Sequence, residues 1–292
     1  MGQQVPNLRW GIEQRLEFIE FRLFWEGGVN RADITGFFGV SVPQASKDLS
    51  LYQEKAPENI RYDRRQKRYF ATAAFRPKFV TLDADMYLER LIATGANGRG
   101  ESVDWISAPA SADRLPIPQR RIQVGVLRSL LQCIRDNRSI EILYQSMSAF
   151  RPEPMWRRVS PHAFGSDSLR WHVRAYCHID HSFKDFILSR FLDTRETGEP
   201  GAAPSDDYLW TKHFSVHLCP NPRLSPGQQE VIAQDYAMKD GEVEVPVRRA
   251  LLYYFNKRLR LDVAERFDDP REAPVVVKNR DAFAAALSEA MR

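Results

Sequence analysis

The sequence predicts an α+β chain of several domains: a helical amino-terminal module ending in a hairpin, a central small sheet or barrel, and a mixed α/β carboxy-terminal extension. Apolar residues recur at helical spacing from Ile12 to Tyr52, and strict alternation then takes over in several segments between residues 139 and 190. Two turn-rich links, one of Gly and Ser up to Pro116-Ile117-Pro118 and one reading Gly198-Glu199-Pro200-Gly201-Ala202-Ala203-Pro204, separate the parts. At 292 residues the chain is too long for one ordinary domain, and 43% hydrophobic with 27% charged residues exclude extensive disorder and fibrous architectures. The division predicted is 1–80, 81–118 as a helical connector and linker, 119–200, and 201–292.

No apolar run approaches the roughly 20 residues of a spanning helix, and Met1-Gly2-Gln3-Gln4-Val5-Pro6 lacks a basic-then-apolar leader, so no membrane partner and a cytoplasmic location are expected. Cys133, Cys177 and Cys219 are odd in number and far apart, which fits a reducing compartment. The net charge of +4 is compatible with a polyanionic partner, and its distribution is more telling. Residues 61–68 hold Arg61, Arg64, Arg65, Lys67 and Arg68 against the single acid Asp63.

The first helix carries Ile12, Leu16, Ile19 and Leu23 on one face and stops at Gly27-Gly28. A short second helix comes next, with Asn30 as cap, Asp33 in its first turn, Ile34, Phe37 and Phe38 as apolar face, and Gly39 as terminator. Gly39-Val40-Ser41 is a turn, and Ser41-Val42-Pro43-Gln44 has the form of a capping box with proline in the first turn of a third helix. At 100° per residue Val42, Ala45, Leu49 and Tyr52 fall on one side of that helix, and Pro43, Gln44, Lys47 and Leu51 on the other. Ile60-Arg61-Tyr62 and Arg68-Tyr69-Phe70 then flank a basic tip. Helix, glycine turn, helix and basic hairpin make up a winged helix-turn-helix, the layout that sets a helix into the major groove of double-stranded DNA. Candidate contacts are Ser41, Pro43, Gln44, Ser46 and Lys47 on the helix and Arg64, Arg65 and Lys67 on the wing. Gln44 suits adenine, Lys47 suits guanine or a phosphate, and the wing arginines suit phosphates or a minor groove.

A connector helix, residues 82–92 and capped at Gly95, leads into the linker. Beyond it, Ile122, Val126, Leu130 and Ile134 form one amphipathic helix, and strands are expected at 139–144, 158–162, 169–178 and 186–190. In the third of these, Trp171, Val173, Ala175 and Cys177 alternate with Arg170, His172, Arg174, Tyr176 and His178, giving one core face and one polar face. Tyr144, Ser160, His162, Arg174 and Arg190 are expected to converge on a surface suited to phosphates or a nucleic-acid strand.

At Ile142-x-Tyr144, Arg157-Arg158-Val159-Ser160-Pro161-His162, Trp171-His172-Val173-x-Ala175-Tyr176 and Phe186-x-x-Ser189-Arg190 the sequence resembles the WYL-domain transcriptional regulators. With a winged helix-turn-helix ahead of that domain and a smaller extension behind it, it resembles the regulators associated with bacterial phage-defence operons. The resemblance covers nearly the whole chain. It implies an Sm-like small β-barrel for residues 119–200, a C-terminal dimerisation domain, a homodimer on a palindromic operator, and repression relieved by a nucleotide or nucleic-acid effector. His172 and Val173 stand where the family signature has Tyr and Leu. The ligand-binding residues expected are Tyr144, Ser160, His162, Trp171, His172, Arg174 and Arg190.

Ser225-Pro226-Gly227-Gln228 is a second capping box, opening a helix to about Tyr236. A strand from Glu242 to Val247, a helix through Leu251, Leu252, Phe255 and Leu259, the strand Val275-Val276-Val277 and a last helix from about Asp281 complete the chain. His213, His217 and Cys219 fall on a strand-like alternation that breaks helical metal-ligand spacing, and Gly95-x-x-Gly98-x-Gly100 lacks the order of a nucleotide loop. No metal site, cofactor or catalytic constellation is expected. The alternative function is a nucleic-acid-processing enzyme or accessory subunit that docks substrate with its winged helix. A third reading is a ligand-sensing adaptor that uses the wing for protein contact.

Overall fold

The structure is a computed structural model that describes residues 10–96, 105–266 and 268–291. Gly98 and Gly100 lie outside the described residues. The chain divides into two compact units, Met1–Pro116 and Ile117–Arg292.

In the first unit α1 (Trp10–Trp25), α2 (Arg31–Phe38) and α3 (Val42–Lys55) enclose a core of Leu16, Ile19, Leu23, Ile34, Leu49 and Tyr52. Burial of each such side chain contributes roughly 1.5–3 kcal/mol, far more than helix propensity does. The turn after α1 needs a glycine because another backbone passes close to it. Val29 and Tyr69 exchange two backbone hydrogen bonds of 2.9 Å, and a Cβ on Gly28 (φ +151°) would meet the Tyr69 carbonyl oxygen at 2.5 Å. The strands β1 (Ile60–Asp63) and β2 (Arg68–Ala71) pair antiparallel, Ile60 opposite Ala71 and Asp63 opposite Arg68. Thus β2 is sandwiched between β1 and the α1–α2 turn, which fixes the hairpin to the helical core.

Both ends of α2 agree with the sequence. Asn30 and Asp33 close a reciprocal capping box, and Gly39 ends the helix at φ +64°. At α3 the box closes on one side only: Ser41 Oγ accepts the Gln44 N–H at 3.4 Å, but the Gln44 side chain turns toward Asp48. Val42, expected on the buried face, is 57% exposed, because the first helical residue precedes the turn that packs.

The connector helix α4 (Ala84–Ala96) runs through Gly95 instead of stopping there. Its Tyr87 stacks on Trp25 at 4.6 Å, and Leu91 is buried with Phe21 and Ile106. The connector therefore folds back on α1 as part of this unit.

The second unit opens with α5 (Val124–Arg135), whose Val126, Leu130 and Cys133 are buried against an antiparallel sheet. Its strands are β3 (Ser139–Tyr144), β4 (Met155–Ser166), β5 (Trp171–Cys177), β6 (Ser182–Ile187) and β7 (Phe191–Gly198), in the order β6-β5-β4-β3-β7. The 3-10 turn Leu188–Arg190 joins β6 to β7, and among the described residues no ladder pairs those two strands. In β5 the alternation holds for Val173, Ala175 and Cys177, all fully buried, but Trp171 at the strand's start is 53% exposed.

A short helix α6 (Tyr208–Thr211) leads into β8 (His213–Pro220), the centre of a three-stranded antiparallel sheet with β9 (Val243–Arg248) and β10 (Val275–Val277). The helices α7 (Pro226–Asp235), α8 (Leu252–Arg258) and α9 (Arg280–Ala290) surround it. Ser225 and Gln228 form the complete capping box the sequence predicts, and Val216, Leu218, Leu252 and Phe283 make the core. No helix among the described residues is long and apolar enough to cross a membrane.

Candidate functional site

The capped start of α3 and the wing tip each carry exposed cations of the first unit. Ser41, Pro43 and Lys47 are exposed, whereas Gln44 and Ser46 are half-buried. Ser46 Oγ donates to the Val42 carbonyl at 2.9 Å, so its hydroxyl is engaged with its own helix. Gln44 Nε2 donates to Asp48 Oδ1 at 2.9 Å, and Asp48 is in turn held by Arg15 of α1, Nε to Oδ2 at 2.6 Å.

On the wing, Asp63 builds the turn: its Oδ1 accepts the N–H groups of Arg65 (2.8 Å) and Gln66 (3.0 Å), and Lys67 takes the left-handed conformation at φ +50°. The one acid of the basic run is therefore committed to shaping the turn. Arg64, Arg65 and Lys67 are exposed at the tip. Arg61 lies over Phe70 at 5.6 Å, and Arg68 donates to the Gly28 carbonyl at 2.6 Å, so these two brace the hairpin.

In the second unit the seven residues expected to bind ligand occupy separate places. Tyr144 sits edge-on to Phe186 (5.1 Å) and Phe191 (5.4 Å), and its hydroxyl accepts the Ile187 N–H at 3.1 Å. Together with Arg190 it lines an open cleft of about 510 Å³. Ser160 is instead committed to a clasp, with its Oγ 2.9 Å from His178 Nε2 and accepting the Gly201 N–H at 2.9 Å. His162 and Arg174 converge on the buried Asp207: His162 Nε2 donates to Oδ2 at 3.0 Å, and Arg174 donates to both oxygens at 2.7 and 3.1 Å. His172 is buried against Tyr254, with ring centroids 4.5 Å apart, and Trp171 stands apart at the strand's start.

Burial alone would push the Asp207 carboxyl up, but its bonds to His162 and Arg174 bring it down to about 2. Burial pushes His172 below the ordinary histidine range despite Asp185 and Asp167 nearby. The polar face of β5 is thus largely internal, covered by residues beyond the second linker. Asp207 lies 33 residues from Arg174 in sequence, and no local pattern marks it as the counter-ion.

The cleft contains a residue that alternation alone does not select. Arg157 of β4 is 5% exposed, and its Nε and Nη2 have no hydrogen-bond partner among the described residues. Its guanidinium lies 5.7 Å from the Tyr144 ring centroid and 5.8 Å from that of Phe186. Nearby Arg151 and Lys184 are both paired with Asp180. A buried guanidinium with unmet N–H groups costs free energy unless an acceptor reaches it from outside, so the cleft is chemically fitted to an anion. The signal in the sequence is an arginine two residues before a core valine, Val159, on the same strand face. Among the described residues no group of three or more His, Cys, Asp or Glu side chains could hold a metal ion.

Comparisons match three successive regions of the chain. The chain matches the BrxR transcriptional regulator winged helix-turn-helix domain over residues 11–93, the WYL domain over residues 125–196, and the BrxR transcriptional regulator C-terminal dimerization domain over residues 213–283. It is 37% identical to the DNA-binding transcriptional repressor CapW of Escherichia coli (strain KTE188), covering 96% of this chain and 93% of that one. The CapW of Pseudomonas aeruginosa is 39% identical over 94% of this chain and 91% of its own, and that of Stenotrophomonas maltophilia 40% over 94% and 92%. Among solved structures, the proteasome accessory factor B/C of Arthrobacter aurescens aligns at 16% identity with a TM-score of 0.22; the match covers 99% of this chain and half of the other. On the strength of the full-length relatives, the chain belongs to the family of the CapW DNA-binding transcriptional repressors.

Proposed function

We propose that this protein is a ligand-responsive transcriptional repressor that binds a palindromic operator as a homodimer and is released by a nucleotide or nucleic-acid signal in its WYL domain. The observation that carries the DNA-binding part is the set of exposed cations on the first unit. Lys47 on the capped helix and Arg64, Arg65 and Lys67 on the wing are exposed and have no acidic partner among the described residues, an arrangement suited to phosphates around a groove. Relatives named as DNA-binding transcriptional repressors support repression, and a matched dimerization domain supports the homodimer. Two-fold symmetry places half-sites about 34 Å, or a multiple, apart.

The orphaned Arg157 guanidinium in its cleft supports an anionic effector, with Tyr144 and Arg190 beside it. We assign 1–80 to DNA binding, 81–118 to the connector, 119–200 to sensing and 201–292 to dimerisation, in a cytoplasmic protein that regulates a phage-defence operon and catalyses no reaction. Footprinting on the DNA upstream of its own operon tests the proposal. A protected palindrome that is lost on adding short oligonucleotides or nucleotides is expected; equal binding to all duplexes at moderate salt would overturn it.

A further inference from the structure

We infer that Asp48 and Arg15 are positioning residues that lock the Gln44 side-chain amide in one orientation and so make it discriminate adenine from guanine. The inference rests on the reading of α3 as the base-contacting helix and adds how that helix chooses a base. Arg15 of α1 grips the Asp48 carboxylate with two bonds, Nε to Oδ2 at 2.6 Å and Nη2 to Oδ1 at 3.3 Å. Asp48 is buried, so this carboxylate has little freedom to turn away. Its Oδ1 also receives one N–H of Gln44 at 2.9 Å.

A carboxylate can only accept hydrogen bonds. The amide of Gln44 must therefore present its NH₂ end to Asp48, since the flipped amide would set oxygen against oxygen. With one N–H spent, Oε1 and a single N–H remain for an incoming base. Adenine offers N6–H as donor and N7 as acceptor on its major-groove edge, which is the complement of that pair. Guanine offers N7 and O6, two acceptors, and would leave Gln44 Oε1 facing O6. An untethered glutamine could rotate its amide to soften that conflict. The Arg15–Asp48 pair removes this option, and its two side chains come from α1 and α3, so the orientation is built into the packing of the helices.

The test is binding and sequencing of randomised operator libraries with the full chain as wild type, Gln44→Ala, Asp48→Asn and the double variant. The wild type is expected to favour A over G by about tenfold or more at the one half-site position where Gln44→Ala loses preference. Asn at 48 can offer either a donor or an acceptor, so Asp48→Asn should reduce that ratio to about threefold or less, and should change nothing further at that position in the Gln44→Ala background. A merely structural role would weaken binding on all sequences and leave the A-to-G ratio intact. An unchanged ratio in Asp48→Asn, or an equal change with and without Gln44, overturns the inference while leaving α3 as the reading helix. A wild type that enriches no sequence overturns the reading of α3 itself. Should Asp48→Asn fail to fold, Arg15→Gln, which leaves the carboxylate but loosens its grip, must lower the same ratio.

Discussion

Tyr52 of α3 donates its hydroxyl to the buried carboxylate of Glu20 on α1 at 2.9 Å, linking the third helix of the module to the first. The same carboxylate accepts the backbone N–H groups of Lys78, Phe79 and Val80 at 2.6–3.0 Å, so it also ties down the chain leaving the wing. Asn59 extends the clamp, donating to Tyr52 Oη and exchanging bonds with the Arg76 backbone. Burial pushes the Tyr52 hydroxyl above its ordinary range, which keeps it a donor at every working pH.

Glu20→Gln replaces an acceptor of four bonds by a group half of which is a donor. A loss of about 2–3 kcal/mol in urea unfolding is expected, against about 1–2 kcal/mol for Tyr52→Phe, which removes the bonds to Glu20 and from Asn59 but leaves Asn59 its Arg76 partner. The reverse ranking would contradict the assignment of Glu20 as the centre of the clamp.

At the wing, Arg65→Ala is expected to weaken binding to all duplexes and to lower the slope of log affinity against log salt by about 0.9 for each phosphate the side chain no longer neutralises. Asp63→Ala removes the acceptor that shapes the tip while raising the net positive charge. If charge alone governed the wing, this variant would bind more tightly; if the turn matters, affinity falls despite the added charge. Fluorescence anisotropy on operator and random DNA separates the two.

The helical module is legible in the sequence because each of its signals is local. Asn30 with Asp33, Gly39 and Ser41 cap helices within a few residues of themselves, and Gly27-Gly28 marks the end of α1, although the approach of the Tyr69 backbone that requires Gly28 is not local and is seen only in the structure. Alternation finds β3, β4 and β5, but the strand expected at 186–190 is the end of β6 followed by the 3-10 turn Leu188–Arg190, and β7, mostly exposed and polar, carries no alternation to reveal it; the destinations of the polar side chains are not legible either. Period-2 patterning says that His162 and Arg174 leave the apolar core; it does not say whether solvent or an acidic residue meets them, and Asp207 is brought there by a linker with no periodicity of its own. Arg157 escapes the pattern for the converse reason. An arginine is expected on the outer face, and here it shares the inner face with Val159 and lies among aromatic rings. Sequence pattern thus locates the sheet but not the cleft.

Arg157→Met keeps most of the side-chain volume and removes a buried charge with unmet N–H groups, so the unliganded protein is expected to be as stable as wild type or more so by about 1–3 kcal/mol. The same substitution should abolish the thermal shift produced by short single-stranded oligonucleotides or nucleotides, a shift that amounts to about 2.7 kcal/mol at a hundred times Kd in the wild type. Operator binding should persist and no longer respond to the effector. A variant that is destabilised yet still responds would place the effector elsewhere.

Asp207 supplies a pH dependence whose sign is fixed by its surroundings. Its folded pKa, about 2, lies below the unfolded value of 3.8, so the folded state holds the proton less tightly than the unfolded state does. The resulting stabilisation is fully present above about pH 4 and is lost as the pH falls toward 2, when the carboxylate that joins His162 to Arg174 becomes protonated. The difference amounts to at most about 2 kcal/mol. Asp207→Asn should flatten this acid limb in urea titrations between pH 2 and 5 and lower stability at pH 7, because an amide keeps one accepting oxygen and no charge, so Arg174 loses one of its two bonds there and is left with Asp185 as its carboxylate partner. Since the loss falls on the joint between the first sheet and α6, sheet and extension should separate before the sheet itself unfolds, seen as earlier amide exchange in β8 than in β4. Simultaneous exchange in both strands would show instead that the second unit opens as one cooperative body and that Asp207 stabilises it globally.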